Sequence, residues 1–334
     1  MGGFILTTSS TEKLFTIFDQ SSTILQDELA CTYLEALAET GDNIFQDKIL
    51  QEGLSELNNK RLQKEYAELN LVSYTSEEIR RAYQLAILKG MKGTTQTNHQ
   101  MTPDSIGLLI GYLIQKFISD RQQLSILDPA VGTGNLLSTV LNMYEQIPTI
   151  ESFGVEVDEI LIRLAYIGAN LQRQQTEFFH QDALAPLFID PVDLVVGDLP
   201  VGYYPNDMQA SEYELKSAKG HAYAHHLFIE QGLRHTKPGG YLFFLIPNGL
   251  FESEQAEKLQ NYLKDTAYIQ AVLQLPFSIF KNDQAAKSIF ILQKKSPETK
   301  APKEVLLASL PSLSKKEAVD KMLWKMEKWF KDNK

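Results

Sequence analysis

The stretch from Ile126 to Leu137, Ile-Leu-Asp-Pro-Ala-Val-Gly-Thr-Gly-Asn-Leu-Leu, constrains this chain more than any other. An apolar strand through Leu124, Ile126 and Leu127 runs into Asp128, Pro129 and Ala130. A glycine pair, Gly132 and Gly134, follows, and then an apolar run with helical character that opens at Asn135. Strand, tight turn and helix in that order form a nucleotide-type ligand site on a parallel sheet. Glycine at such a turn lets the backbone approach a ligand where a Cβ would collide.

Three further strands each carry an acid near their end. Phe153 to Val157 carries Glu156, Phe178 to Leu184 carries Asp182, and Val192 to Pro200 carries Asp198. A carboxylate on the second strand, roughly 20 residues past the turn, can accept both hydroxyl protons of a ribose. Ligands of open α/β sheets lie beyond the carboxyl ends of the strands, so Asp128, Glu156, Asp182 and Asp198 are expected on one rim. A nicotinamide dinucleotide is the first rival as ligand. Its fingerprint wants a third glycine, which lets helix and sheet pack closely, and Asn135-Leu136-Leu137 stands there instead. Asp128 before the turn would repel a pyrophosphate. It suits S-adenosylmethionine, which has no phosphate but a sulfonium and an α-amino group.

These motifs resemble those of S-adenosylmethionine-dependent adenine-N6 DNA methyltransferases, above all the modification subunits of type I restriction systems. Asp128-Pro129-Ala130-x-Gly132-x-Gly134, Gly154-x-Glu156 and Asp182-Ala183-Leu184 carry the likeness. Gln100-Met101-Thr102-Pro103 resembles the aromatic-Thr-Pro motif that opens the core, with Met101 in the aromatic place. Lys237 to Tyr241 running to Ile246-Pro247-Asn248, Leu275 to Phe280, and Ser288 to Leu292 resemble later strands. With its helical leader the chain also resembles a bacterial methyltransferase-like group that lacks a specificity subunit. The resemblance implies an α/β fold, a Rossmann-like seven-stranded sheet whose last strand is antiparallel, behind a small all-helical N-terminal domain. It assigns Asp128, Pro129, Ala130, Gly132, Gly134, Asn135, Glu156 and Val157 to the cofactor loop and ribose. Asp182 and Ala183 go to the cofactor's adenine, Thr102 and Pro103 to its methionine end, and Asp198 counts among the cofactor-binding residues as well as the catalytic ones.

The catalytic motif of that family is Asn, Asp or Ser, then Pro-Pro, then Tyr or Phe. An exocyclic amine is a weak nucleophile because its lone pair is delocalised. A side-chain oxygen and the next carbonyl accept its protons, and the aromatic stacks on a base turned out of its helix. Positioning supplies most of the acceleration. Here the motif reads Asp198-Leu199-Pro200-Val201. The acid, one carbonyl and one proline are kept, and the aromatic is absent. Tyr203 or Tyr204 is the expected replacement, and Phe280 matches a second stacking aromatic. The implied activity is methyl transfer to an amino nitrogen, best in DNA adenine, with RNA or a protein amide as alternative acceptors. A non-catalytic S-adenosylmethionine-binding interaction module is the rival from another class.

The chain has 334 residues, enough for two cores. We read residues 1–93 as the helical domain, 94–310 as the cofactor and catalytic domain, and 311–334 as an amphipathic helix packed on the core. Leu14 to Leu37 recur at helical spacing until Gly41-Asp42-Asn43 breaks the pattern, and Ser76 reads as an N-cap. Lys89 to His99 reads as the boundary, and Asp104 to Phe117 as a helix. Ser314 and Glu317 read as a capping box for the last helix. No apolar run spans a membrane and no secretory leader is read, so a cytoplasmic location is expected. The single cysteine, Cys31, excludes a cysteine-based zinc site and is expected to be buried. His221, His225 and His226 are read as cap and core residues, with no metal expected. The net charge of −10 argues against strong autonomous grip on duplex DNA, where phosphate contacts dominate affinity. A protein partner on the helical domain remains open.

Overall fold

The structure, a computed structural model, describes residues 9–67, 69–92, 101–118, 121–280, 282, 285–312 and 315–333. Four helices come first: α1 (Ser10–Leu29), α2 (Tyr33–Gln46), α3 (Glu56–Ala67) and α4 (Ser76–Lys92). Then come α5 (Asp104–Phe117), β1 (Gln123–Asp128), α6 (Asn135–Met143), β2 (Thr149–Glu156), α7 (Glu159–Leu171), β3 (Thr176–His180) and β4 (Val192–Asp198). The chain continues through α8 (Asp207–Ala210), α9 (Ala224–Arg234), β5 (Thr236–Pro247), α10 (Ala256–Thr266), β6 (Ala267–Gln274), β7 (Lys287–Lys294), β8 (Leu306–Ser309) and α11 (Lys316–Asn333).

The strands form one sheet in the order β3-β2-β1-β4-β5-β7-β6-β8. From β3 to β5 all pairings are parallel. Strand β7 enters antiparallel between β5 and β6. The expected Rossmann-like sheet with a reversed seventh strand is therefore present, and the short β8 adds an eighth strand, parallel to β6. Central strands read as unbroken apolar runs, such as Leu194-Val195-Val196 and Leu242 to Ile246, because helices cover both faces. On one face Ile126, Leu194, Val196 and Phe243 pack under α5, α6 and α11. On the other, Leu127, Val195, Leu242 and Phe244 pack under α9 and α10. Helix α11 contributes Met326, Trp329 and Phe330, and the Phe117 ring meets Phe330 at 5.0 Å. Among the described residues no helix is long and apolar enough to cross a membrane.

Four local readings are corrected. The run read as one helix to Leu37 divides at Ala30, whose φ is 50°. Thr32 and Glu35 close a capping box that starts α2. The glycines Gly41 and Gly90 do not end helices; both lie inside them. A Cβ at Gly41 would sit 2.4 Å from Ile167 Cγ2, and one at Gly90 would sit 2.5 Å from Leu34 Cδ2. Their smallness serves close helix packing. The cap of α4 is Thr75, which exchanges hydrogen bonds with Glu78 (2.9 and 3.2 Å), and not Ser76. Cys31 is only half-buried. Gln100, most of the boundary segment and the Ser314 cap lie outside the described residues.

The helical leader shares a core with the sheet domain. Leu37, Ala82 and Tyr83 pack on Leu164, Ile167 and Leu171 of α7. Arg80, 2% exposed, reinforces this contact. Its guanidinium donates to Glu77 (2.7 Å), to Asp104 at the start of α5 (2.8 Å) and to Asn135 at the start of α6 (2.7 Å). A buried cation is tolerable only when paired in this way. Gly41→Ala gains about 0.5–1 kcal/mol of helix propensity but overpacks against a β-branched methyl, which costs about 1–3 kcal/mol. We expect a net loss read as a lower urea midpoint; an unchanged or raised midpoint would show that α2 and α7 can separate freely.

Candidate functional site

Strands β1, β2 and β4 end beside one another at a cavity of about 580 Å³. Each sends one acid into its lining, and each acid is held differently. Asp128 closes β1 and is 1% exposed. Its Oδ1 accepts the Ala130 N–H at 3.0 Å. Burial, reinforced by the charges of Asp198 and Glu156, pushes its pKa up to about 8. The negative charge that the sequence places on Asp128 is thus largely absent near neutral pH.

Glu156 closes β2. Its carboxylate accepts N–H bonds from Gly132 (3.0 Å), Val157 (2.9 Å) and Asp158 (3.0 Å). A carboxylate offers about four lone-pair sites, so capacity remains for a ligand hydroxyl. The turn between β1 and α6 brings the Gly132 amide there because Gly132 and Gly134 adopt φ of 54° and 80°, values that L side chains rarely take. Asn135 lines the cavity and donates to the Thr102 carbonyl at 2.9 Å.

Asp198 closes β4. Thr102 Oγ1 donates to its Oδ2 at 2.9 Å, and Lys287 Nζ, from the first residue of β7, is ion-paired with its Oδ1. Leu199 buries its side chain beneath the sheet and donates its N–H to the Leu245 carbonyl at 3.1 Å. Pro200 and the half-exposed Val201 form one lip, and Met101 and Met91 contribute sulfur-bearing side chains to the wall. Lys287 is the one cation among the described residues that line the cavity.

The structure thus gathers Thr102, Asp128, Ala130, Gly132, Asn135, Glu156, Asp198, Leu199 and Pro200. It leaves the other expected residues outside the lining. Pro129 and Gly134 shape the turn, and Pro103 caps α5. Val157 contributes its amide, while its side chain is exposed. Asp182 lies past the end of β3, where its oxygens already accept the Tyr204 hydroxyl (2.6 Å) and the Leu184 N–H (2.9 Å); neither it nor the buried Ala183 reaches the cavity. Phe280 packs against the core. Tyr203 does not swing into the gap left by Val201. Its ring stacks on Tyr223 at 4.8 Å, and Tyr223 in turn stacks on His225 at 5.2 Å.

His225 and His226 are buried, and burial pushes their pKa values down to about 3 and about 4. Among the described residues no group of three or more His, Cys, Asp or Glu is placed to hold a metal. Sequence reading missed Lys287 and Pro247 at the cavity. Lys287 stands 89 positions from Asp198. The available signal was a charged residue heading the apolar run Ser288 to Leu292.

Residues 82–331 match the family described as N-6 DNA Methylase, and residues 12–91 match the YtxK N-terminal helical domain. The uncharacterized protein YtxK of Bacillus subtilis (strain 168) is 52% identical over 322 residues, 96% of this chain and 98% of its own. A Listeria monocytogenes crystal structure, described as a candidate class I S-adenosylmethionine-dependent methyltransferase, superposes with a TM-score of 0.91 at 49% identity, covering 96% of this chain and 99% of that one. The methyltransferase subunit of a type I restriction-modification system from Streptococcus thermophilus superposes with a TM-score of 0.67 at 20% identity, over 95% of this chain and 74% of that one. That more distant likeness concerns the fold alone.

The Asp128 environment has a measurable sign. An unfolded aspartate titrates near ~3.9, and the folded one near about 8. Between those values the folded chain keeps a proton that the unfolded chain releases, so this group's contribution to stability falls as pH rises and levels off above the folded value. Asp128→Asn removes that cost while keeping an acceptor for Ala130. We expect the variant to exceed the parent by a few kcal/mol (an order-of-magnitude figure) at pH 8, with the gap closing toward pH 5, in urea unfolding. A gap that widens toward acid would overturn the buried neutral assignment.

Proposed function

The chain belongs to the N-6 DNA methylase family, and on that basis we propose that it binds S-adenosylmethionine at the β1–β2–β4 rim and methylates an amino nitrogen, with adenine in DNA the favoured acceptor. The observation that carries this reading is the convergence of Glu156, Asp198 and the glycine turn on one cavity. The donor set fits the group: Glu156 keeps acceptor capacity for ribose hydroxyls, and among the described residues no arginine or lysine cluster lines the turn to demand a phosphate. When bound, the cofactor supplies an electrophilic methyl group on its sulfonium.

The protein's own part is binding and alignment. Glu156, fixed by three amides, holds the ribose. Asp198 and the Leu199 carbonyl accept the protons of the acceptor amine, which favours a pyramidal nitrogen with a usable lone pair. Thr102 locks the Asp198 carboxylate from the start of α5. Pro200 and Val201 border the cavity on one side. Asp182, held by the Tyr204 hydroxyl and the Leu184 N–H, keeps lone-pair capacity of its own and addresses the amine of the cofactor's adenine. DNA as partner rests on the family alone, and the net charge of −10 favours capture of an exposed base, or help from another protein, over a strong grip on duplex. The rival reading, a cofactor-binding interaction module, draws support from the exposed Val201 in the aromatic position and from the engagement of Tyr203 with Tyr223.

Calorimetry with S-adenosylmethionine or S-adenosylhomocysteine is the primary test. We expect binding that weakens about tenfold in Glu156→Gln, the scale of one charge-assisted hydrogen bond. Absence of binding heat from folded protein overturns the reading. Asp198→Ala is expected to retain cofactor affinity within a few-fold while labelled methyl incorporation into DNA, RNA or protein falls by about 10²-fold or more. Equal incorporation by the variant removes Asp198 from the chemistry, and binding without any incorporation by the parent selects the interaction module.

A further inference from the structure

We infer that Lys287 is a specificity residue: with Asp198 it reads the paired edge of an amide or amidine, an amine beside a lone-pair atom, and rejects simple amines. The inference rests on the cofactor reading above and names the class of acceptor that the same cavity takes.

The geometry is the starting point. Lys287 heads β7, opposite Pro247 in the ladder, and its carbonyl accepts the Leu275 N–H at 3.1 Å. Its position is therefore fixed by a strand and not by a loop. Its side chain is 21% exposed and ends on Asp198 Oδ1, while Thr102 takes Oδ2. The ammonium thus holds one oxygen of the acid at the cavity that an acceptor amine must enter. An acceptor amine reaches Asp198 by sharing or taking that place. The ammonium has three N–H donors and no acceptor. Left without a partner in a half-buried site, it costs free energy that the acceptor must offset.

Among the described lining residues the other acids are Asp128, largely protonated, and Glu156, which three amides hold in place and whose remaining capacity goes to the ribose in cofactor-loaded protein. The incoming molecule is then the ready source of a new partner. A carboxylate and an ammonium side by side present an acceptor next to a donor. The complementary surface is a planar group with an N–H next to a lone pair. Adenine offers its amine beside a ring nitrogen, cytosine offers the same, and a side-chain amide offers nitrogen beside oxygen. An alkyl amine offers only half of the pair. Sites built to hydrogen-bond a polar atom reject analogues that lack it far more strongly than apolar pockets reject a missing methylene.

A second consequence separates binding from rate. As the amine nitrogen takes the methyl group, its lone pair leaves conjugation and the neighbouring atom loses electron density. The Lys287 contact is therefore strongest before transfer, so it governs capture of the acceptor more than turnover.

The test uses the full chain saturated with S-adenosylhomocysteine, which blocks nucleoside binding at the cofactor position. Ligand-detected NMR then measures binding of adenosine and cytidine against 1,7-dideazaadenosine and 3-deazacytidine, which lack the lone-pair atoms beside the amine. We expect at least one of the first set to bind about tenfold more tightly than its counterpart. Lys287→Met is expected to erase that preference, and Lys287→Arg to retain most of it. Matching thermal unfolding and unchanged S-adenosylhomocysteine affinity show that both variants are folded. Equal binding within every pair, a preference that survives in Lys287→Met, or no probe binding to cofactor-loaded protein each overturns the inference while leaving the cofactor reading intact. Failure to bind S-adenosylhomocysteine at all removes that reading and this inference with it.

Discussion

The parallel ladder of β2, β1 and β4 is the constraint on which the site depends. Strands in such a ladder must keep register to pair their backbones, with Asp128 beside Gly154 and Leu127 beside Val195, so they finish together. Acids at their ends are then forced onto one rim, where like charges repel. The molecule resolves this crowding in three ways. Asp128 is buried and holds its proton; Glu156 is given backbone amides; Asp198 is given an ammonium and a hydroxyl. The turn glycines belong to the same solution, since their left-handed geometry is what points the Gly132 amide at Glu156.

Much of this was legible because it is local. Strand ends, the glycine turn and the apolar periodicity of α5 are each written in a few consecutive residues, and the resemblance is built from the same short motifs. What was missed is non-local. Lys287 reaches Asp198 only through the insertion of β7 between β5 and β6, which no short window encodes. The contact of Tyr204 with Asp182, 22 positions away, is non-local in the same way. Tyr203 was a sensible replacement for a missing aromatic, but it found a partner in Tyr223. Gly41 and Gly90 misled for a related reason. Glycine is read as a helix breaker by propensity, whereas in these two places the demand of a neighbouring helix for space outweighs a cost of about 1 kcal/mol.

The leader helices and the sheet are joined by more than a linker. One apolar cluster runs through both, and Arg80 ties the starts of α5 and α6 to α4. Those two helix starts also carry the site: Thr102 precedes α5, and Asn135 opens α6. Disturbing the leader should therefore be felt at Asp198 through a path of two hydrogen bonds, from Asn135 to the Thr102 carbonyl and from the Thr102 hydroxyl to the acid.

Met91, near the end of α4, bears on how the protein can be dissected. Because this side chain forms part of the cavity wall, trimming the chain back to the sheet domain would open a window in that wall and strand the carboxylate of Asp104 without its buried guanidinium. Inactivity of such a fragment would report a broken enclosure rather than a missing regulatory module, and grafting the leader onto a related core would require matching the seam as well as the length.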